Sequence, residues 1–257
     1  MASLAESIPT PVRRDRAFLI LTLLMCLVIV AGFSVNLATG RSSFGLPLIY
    51  HIHAFVFMGW LALFLTQTLL VATDNVRLHR TLGWVALAWV PMMAVMGVVM
   101  TFHALRDHGG PPFFALGEFL FGNPAGIACF AGLAFAAIAM RRRTPWHRRL
   151  MLCALASITG PGFGRLLPVP FMIPWSWAVA ALIAPAVFPL AGAIIDWRRG
   201  GRVHPAWLWG LGAMAGTFLA AEALAFTPLG ERIAAAAVAG TPGAKRPYAA
   251  HWPPVQP

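Results

Sequence analysis

The chain has 257 residues, 59% of them hydrophobic and 11% charged, with a formal net charge of +11 and a mean hydropathy of +0.75. That composition excludes an ordinary water-soluble globule. It also gives no nucleic-acid signature, because the arginines sit in short clusters between apolar runs of about 20 residues, the length that crosses a bilayer core.

In chain order, the leader MASLAESIPTPVRRDR precedes AFLILTLLMCLVIVAGFSVNLA. This apolar run is longer than the core of a signal peptide and no A-x-A site follows it, so it predicts an uncleaved first span. Apolar runs between charged or Gly/Pro-rich breaks predict spans at 17–39, 47–73, 81–104, 124–140, 148–167, 175–196 and 204–226. The expectation is an all-α, polytopic transmembrane bundle of seven spans. A segment 1–16 precedes it, and a Pro/Ala-rich tail, 227–257, follows with one short helix from Pro228 and disorder elsewhere.

Individual spans carry local signals. On the second, His53, Trp60 and Gln67 recur every seven residues and share one stripe, whereas His51 falls about 200° away from His53. His53 and Gln67 are therefore expected to face the bundle interior, where intramembrane polar groups find partners. Asn123 followed by Pro124 reads as an N-cap and first-turn proline, which starts the fourth span there and leaves Glu118 in an interfacial segment. The fifth span is broken by SITGPGFGR, and backbone groups freed by such a break need protein or a wet cavity around them. The sixth carries Pro185 and Pro189. The three cysteines, Cys26, Cys129 and Cys153, lie in apolar runs without metal-type spacing and read as small hydrophobes.

Arginine placement orients the chain. Thirteen of the nineteen Lys and Arg fall on one side: Arg13, Arg14 and Arg16, then Arg77 and Arg80, Arg141 to Arg143 with Arg148 and Arg149, and Arg198, Arg199 and Arg202. The positive-inside rule then puts the N-terminus inside and the C-terminus outside. Threading sorts the polar residues into two layers. His79, His147 and His204 lie at inner span ends with Asp196. His53 and His103 lie at outer ends, near Glu118. Arg165 is 18 residues after His147 and Glu222 is 18 after His204, each about 27 Å along a helix, so both reach the outer layer.

Two imidazoles from facing helices at one depth suit haem, and the inner pair His79 and His147 and the outer pair His53 and His103 both meet that condition. A transition metal on His53, His103 and Glu118 is the competing outer arrangement. Lipid-phosphate contact or helix capping is a further role open to the inner histidines. Arg165 could bind an anion or a haem propionate or pair with Glu118 or Glu222, and an arginine snorkelling to the interface is an equally open reading. A non-enzymatic carrier of a small lipophilic or anionic molecule, and an assembly subunit of a membrane complex, stay open beside a redox protein.

The pieces HIHAFVFMGWLALFLTQTLLVA, VRLHRTLGW, HRRLMLCA, GRLLP and DWRRGGRVHPAWLWG together resemble a group of uncharacterised bacterial inner-membrane proteins. The resemblance implies seven helices in the inner membrane and brings no activity with it. A looser likeness runs to transmembrane b-type cytochromes, with His79 and His147 on alternate spans as half of a two-haem arrangement; the fourth span has no histidine for the other half.

Overall fold

The computed structural model describes residues 16–252. The predicted N-terminal segment up to Asp15, with Arg13 and Arg14, and the last five residues of the tail lie outside it. The described residues are helical, without strands, and include six helices long and apolar enough to cross a membrane: α1 (Arg16–Ala38), α2 (Leu48–Ala72), α3 (Val76–His108), α4 (Leu116–Ala139), α7 (Ser176–Gly200) and α8 (Pro205–Ala225). Between α4 and α7, the predicted fifth span is two shorter helices, α5 (Thr144–Ser157) and α6 (Gly160–Leu166), which meet at Ile158 and Thr159.

Helix ends follow from local chemistry. The Asn75 side chain accepts from the Leu78 amide to start α3, and Gly109, at φ 75°, stops it in the left-handed conformation that favours glycine. Pro205 occupies the first turn of α8, where its missing N–H costs nothing. Within α7, residues Val179–Ile183 form a π-turn just before Pro185, which cannot donate the bond expected from that position.

The fourth span begins eight residues earlier than Asn123 and Pro124 suggest. At its start the Glu118 carboxylate accepts from the Ala115 amide at 2.6 Å, so Glu118 is a first-turn helical residue and is buried. Pro124 sits inside α4. It withholds one backbone bond, while the Asn123 side chain donates to the Phe119 carbonyl at 2.8 Å and keeps the turn closed.

Large apolar side chains cover the outside, among them Leu27, Phe55, Val95, Val187 and Leu208. Inside, Met25, Trp60, Val90, Met93, Phe130, Leu155 and Trp207 form one core. Small residues set the closest helix approaches. A Cβ on Gly32 would stand 2.5 Å from the Gly162 carbonyl oxygen, so α1 and α6 cross backbone to backbone. The Trp89 indole lies over Gly59 and donates to the Val56 carbonyl at 2.8 Å, tying α3 to α2.

After α8 come α9 (Pro228–Val238), capped by Thr227, and a 3₁₀ turn at Pro242–Lys245. Disorder was the expectation beyond α9, yet residues 239–252 fold back over the ends of α3 and α4. Arg246 donates to the Gly109 and Phe114 carbonyls, Tyr248 donates to the Ala225 carbonyl, and the Leu116 amide donates to the Tyr248 carbonyl at 2.8 Å.

Candidate functional site

At the arginine-rich end, the cap at Asn75 places His79 in the first turns of α3, opposite α5. The turn at Arg143 brings His147 onto the end of α4, where its Nδ1 lies 2.8 Å from the Ala137 carbonyl. A carbonyl only accepts, so Nδ1 carries the proton and Nε2 is left with its lone pair free for a ligand. The two rings stand 6.3 Å apart, centroid to centroid, at 77°. Nδ1 of His79 is buried without a partner, as is the side-chain oxygen of Gln67, whose backbone reaches His79.

Asp196 and His204, placed in the same layer by the sequence, have other occupations. Arg149 holds Asp196 through both oxygens, at 2.7 and 2.8 Å, and also donates to the Pro145 carbonyl; the Trp207 indole donates to Asp196 at 2.7 Å. This joins α5, α7 and α8 and leaves the carboxylate no role as a ligand. Sequence reasoning missed Arg149 and Trp207. The signal was the helical period, since Arg149 shares a face with the buried Leu152, Cys153 and Ala156. His204 caps α8 by accepting from the Ala206 amide at 3.1 Å and meets the Trp146 ring edge-on at 5.2 Å. Its pKa is lowered, first by burial and then by the charges of Arg149 and Arg148, with Asp196 opposing.

At the opposite end, His103 packs edge-on to Tyr50 at 5.4 Å, Tyr50 shares a hydrogen bond with Asp107, and Nε2 of His103 is buried without a partner. His51 is exposed and near the Leu46 carbonyl, whereas His53 lies against Phe57 with its Nδ1 buried and unpartnered. His53 lies within Coulombic range of Arg165. Arg165 stacks over the Phe33 ring at 4.1 Å and donates from one terminal nitrogen to the Pro161 carbonyl, while its Nε is buried without a partner. Glu118 and Glu222 are close enough to act on each other, Glu118 also faces Arg246, and one Glu222 oxygen is buried without a partner. Burial pushes Arg246 down to about 10, against the opposing pull of Glu118, so it stays charged at neutral pH.

Among the described residues no three His, Cys, Asp or Glu side chains converge as a bare metal ion would need, so His53, His103 and Glu118 are not gathered into one such group. A different pattern runs along α2. His53, Trp60 and Gln67 each bury an unpartnered polar atom, and together they draw a polar line about 21 Å long through the bundle. Buried polar groups are ordinarily satisfied, so such a line marks where ligands or water belong.

No protein-family model, curated protein or solved structure matches the chain. Fold and composition define its class, an α-helical bundle with six helices long and apolar enough to cross a membrane and an imidazole-bearing polar interior.

Proposed function

We propose that the protein is a seven-crossing bacterial inner-membrane protein, N-terminus inside and C-terminus outside, in which His79 and His147 ligate a haem b iron in an electron-transfer or oxidoreductase role. The observation that carries this reading is the pair itself, with ring centroids 6.3 Å apart on two helices. Two imidazole nitrogens bound about 2.0–2.1 Å from one shared metal would hold their ring centroids up to roughly 6 Å apart, close to the separation of this pair.

The donor set favours haem over a bare ion. A bare transition metal takes three or four protein ligands, whereas haem brings four nitrogens of its own and asks the protein for two. The Ala137 carbonyl orients His147, and the unpartnered Nδ1 of His79 is a buried polar atom awaiting a partner. Haem supplies a one-electron couple when bound. The chain's own contribution is to orient the His147 ring through Ala137 and to hold Arg80 within Coulombic range of His79, a positive charge that would suit the anionic groups haem brings. Arg165 is at the other end of the bundle and does not serve that haem. For the crossing count, α5 and α6 together supply one bent span, and the arginine clusters then fall on one side.

The deciding measurement is an absorption spectrum with metal analysis on protein purified in mild detergent. The expected result is a Soret band that shifts on reduction and is lost in His147→Ala. Preparations with neither a Soret band nor bound metal would sink the reading. A carrier of a small lipophilic or anionic molecule is the second reading, favoured by the unpartnered α2 stripe beside the broken α5–α6 span; ligand binding that persists in His79→Ala and His147→Ala variants would select it.

A further inference from the structure

We infer that Arg165 and His53 form a binding site for the oxyanion headgroup, phosphate or carboxylate, of an amphiphilic molecule, at the end of the bundle remote from the His79 and His147 pair. Sequence alone left Arg165 a choice between an anionic ligand and a carboxylate of the chain, Glu118 or Glu222. In the fold none of the described carboxylates takes that place: Glu118 faces Arg246 and Glu222, and Asp107 bonds Tyr50. A cation held in a membrane-spanning bundle without a counter-charge is costly, and an anion is what relieves it.

The guanidinium is already fixed. One terminal nitrogen donates to the Pro161 carbonyl at 2.7 Å and the flat face rests on Phe33. That leaves the edge formed by Nε and the other terminal nitrogen, the fork that matches two oxygens of a carboxylate or phosphate, and Nε on this edge is buried without a partner. His53 adds a second unpartnered buried nitrogen from α2, within Coulombic range of Arg165. Two unsatisfied nitrogens, one imidazole and one guanidinium, within Coulombic range of each other make a receptor for one anion. The surroundings choose its tail. Leu166 and Ile52 are 40% and 43% exposed on the same elements, so an apolar chain has hydrocarbon-facing surface beside the headgroup.

The test uses the full chain in a non-ionic detergent, titrated separately with phosphatidylglycerol and with dodecanoate, and followed by native mass spectrometry. One of the two anions should bind with one-to-one stoichiometry. Charged hydrogen bonds of this kind predict binding about tenfold or more weaker in Arg165→Gln. Arg165→Lys, which keeps the charge and loses the fork, should fall between, and His53→Leu should weaken binding less than Arg165→Gln. Preference for the phospholipid identifies a membrane headgroup as the source, and preference for dodecanoate a free acid. The inference fails if neither probe binds, if Arg165→Gln binds as well as the parent, or if dodecanol competes as well as dodecanoate. The Soret band expected of haem at His79 and His147 should be the same in parent and Arg165→Gln, so this outcome is independent of the haem reading.

Discussion

Arg149 and Asp196 show how much one buried contact carries. Their side chains are only 8% and 13% exposed, and each oxygen of the carboxylate is occupied. Removing one partner leaves a buried charge alone, which costs about 3–5 kcal/mol, whereas removing both is far milder. Asp196→Leu should therefore lower stability in a detergent-denaturation assay by about that amount, and Arg149→Met with Asp196→Leu should recover much of it. His204 acts at the same scale but through protons. Its folded pKa lies below its unfolded value, so the unfolded chain binds more protons in the window between them and stability rises with pH there. The contribution is complete above the unfolded value of about 6.5 and is lost as pH falls through the folded one. Melting temperature should drop between pH 7.5 and 5 by less in His204→Asn than in the parent, since asparagine caps without titrating. That His79 and His147 come together was legible from span register. Arg149 was not, because within a five-arginine cluster only rotation about the helix separates the inward side chain from its neighbours.

Single helices depart from their sequence signals where tertiary contact outweighs local preference. Pro124 reads as a helix start, yet α4 runs through it because Phe114, Leu116 and Leu120 are buried below it and reward extending the helix downward. The Pro/Ala-rich tail reads as loose chain, but Arg246 and Tyr248 meet carbonyls at helix ends that lack partners within their own helices. Composition averages over such anchors and hides them. The SITGPGFGR break, in contrast, was plain in the sequence, and its glycines have a concrete task. Gly32 and Gly162 let α1 and α6 touch through their backbones, with no flexible side chain able to give way. Gly32→Ala should therefore push the two helices apart and destabilise the protein by about 1–3 kcal/mol, with Ala31→Gly as a control. Thermal unfolding followed by tryptophan fluorescence would register the difference.

For the whole molecule, six helices of membrane-spanning length were legible because an apolar run that long needs no tertiary information, and the bent α5–α6 segment is the one whose length alone does not decide. The proposed seven crossings would place Thr39–Ser43 and Asp107–Pro111 on the outer side and Arg141–Arg143 on the inner. Cysteines introduced at Ser42, Asp107 and Arg142 in a variant lacking the native thiols should be labelled by an impermeant maleimide at the first two and protected at the third in intact cells. Labelling at all three would overturn the threading and with it the two-layer arrangement of histidines.

The Arg149 and Asp196 clasp also has a bearing on biogenesis. Its halves are 47 residues apart, and Trp207 adds its indole from the helix after that. A nascent chain inserted in order presents the α5 guanidinium before its α7 partner exists, and only α8 completes the clasp. The late helices thus act as a latch on the early ones, and chains stalled before residue 196 should be cleared by membrane proteases faster than chains stalled after residue 225.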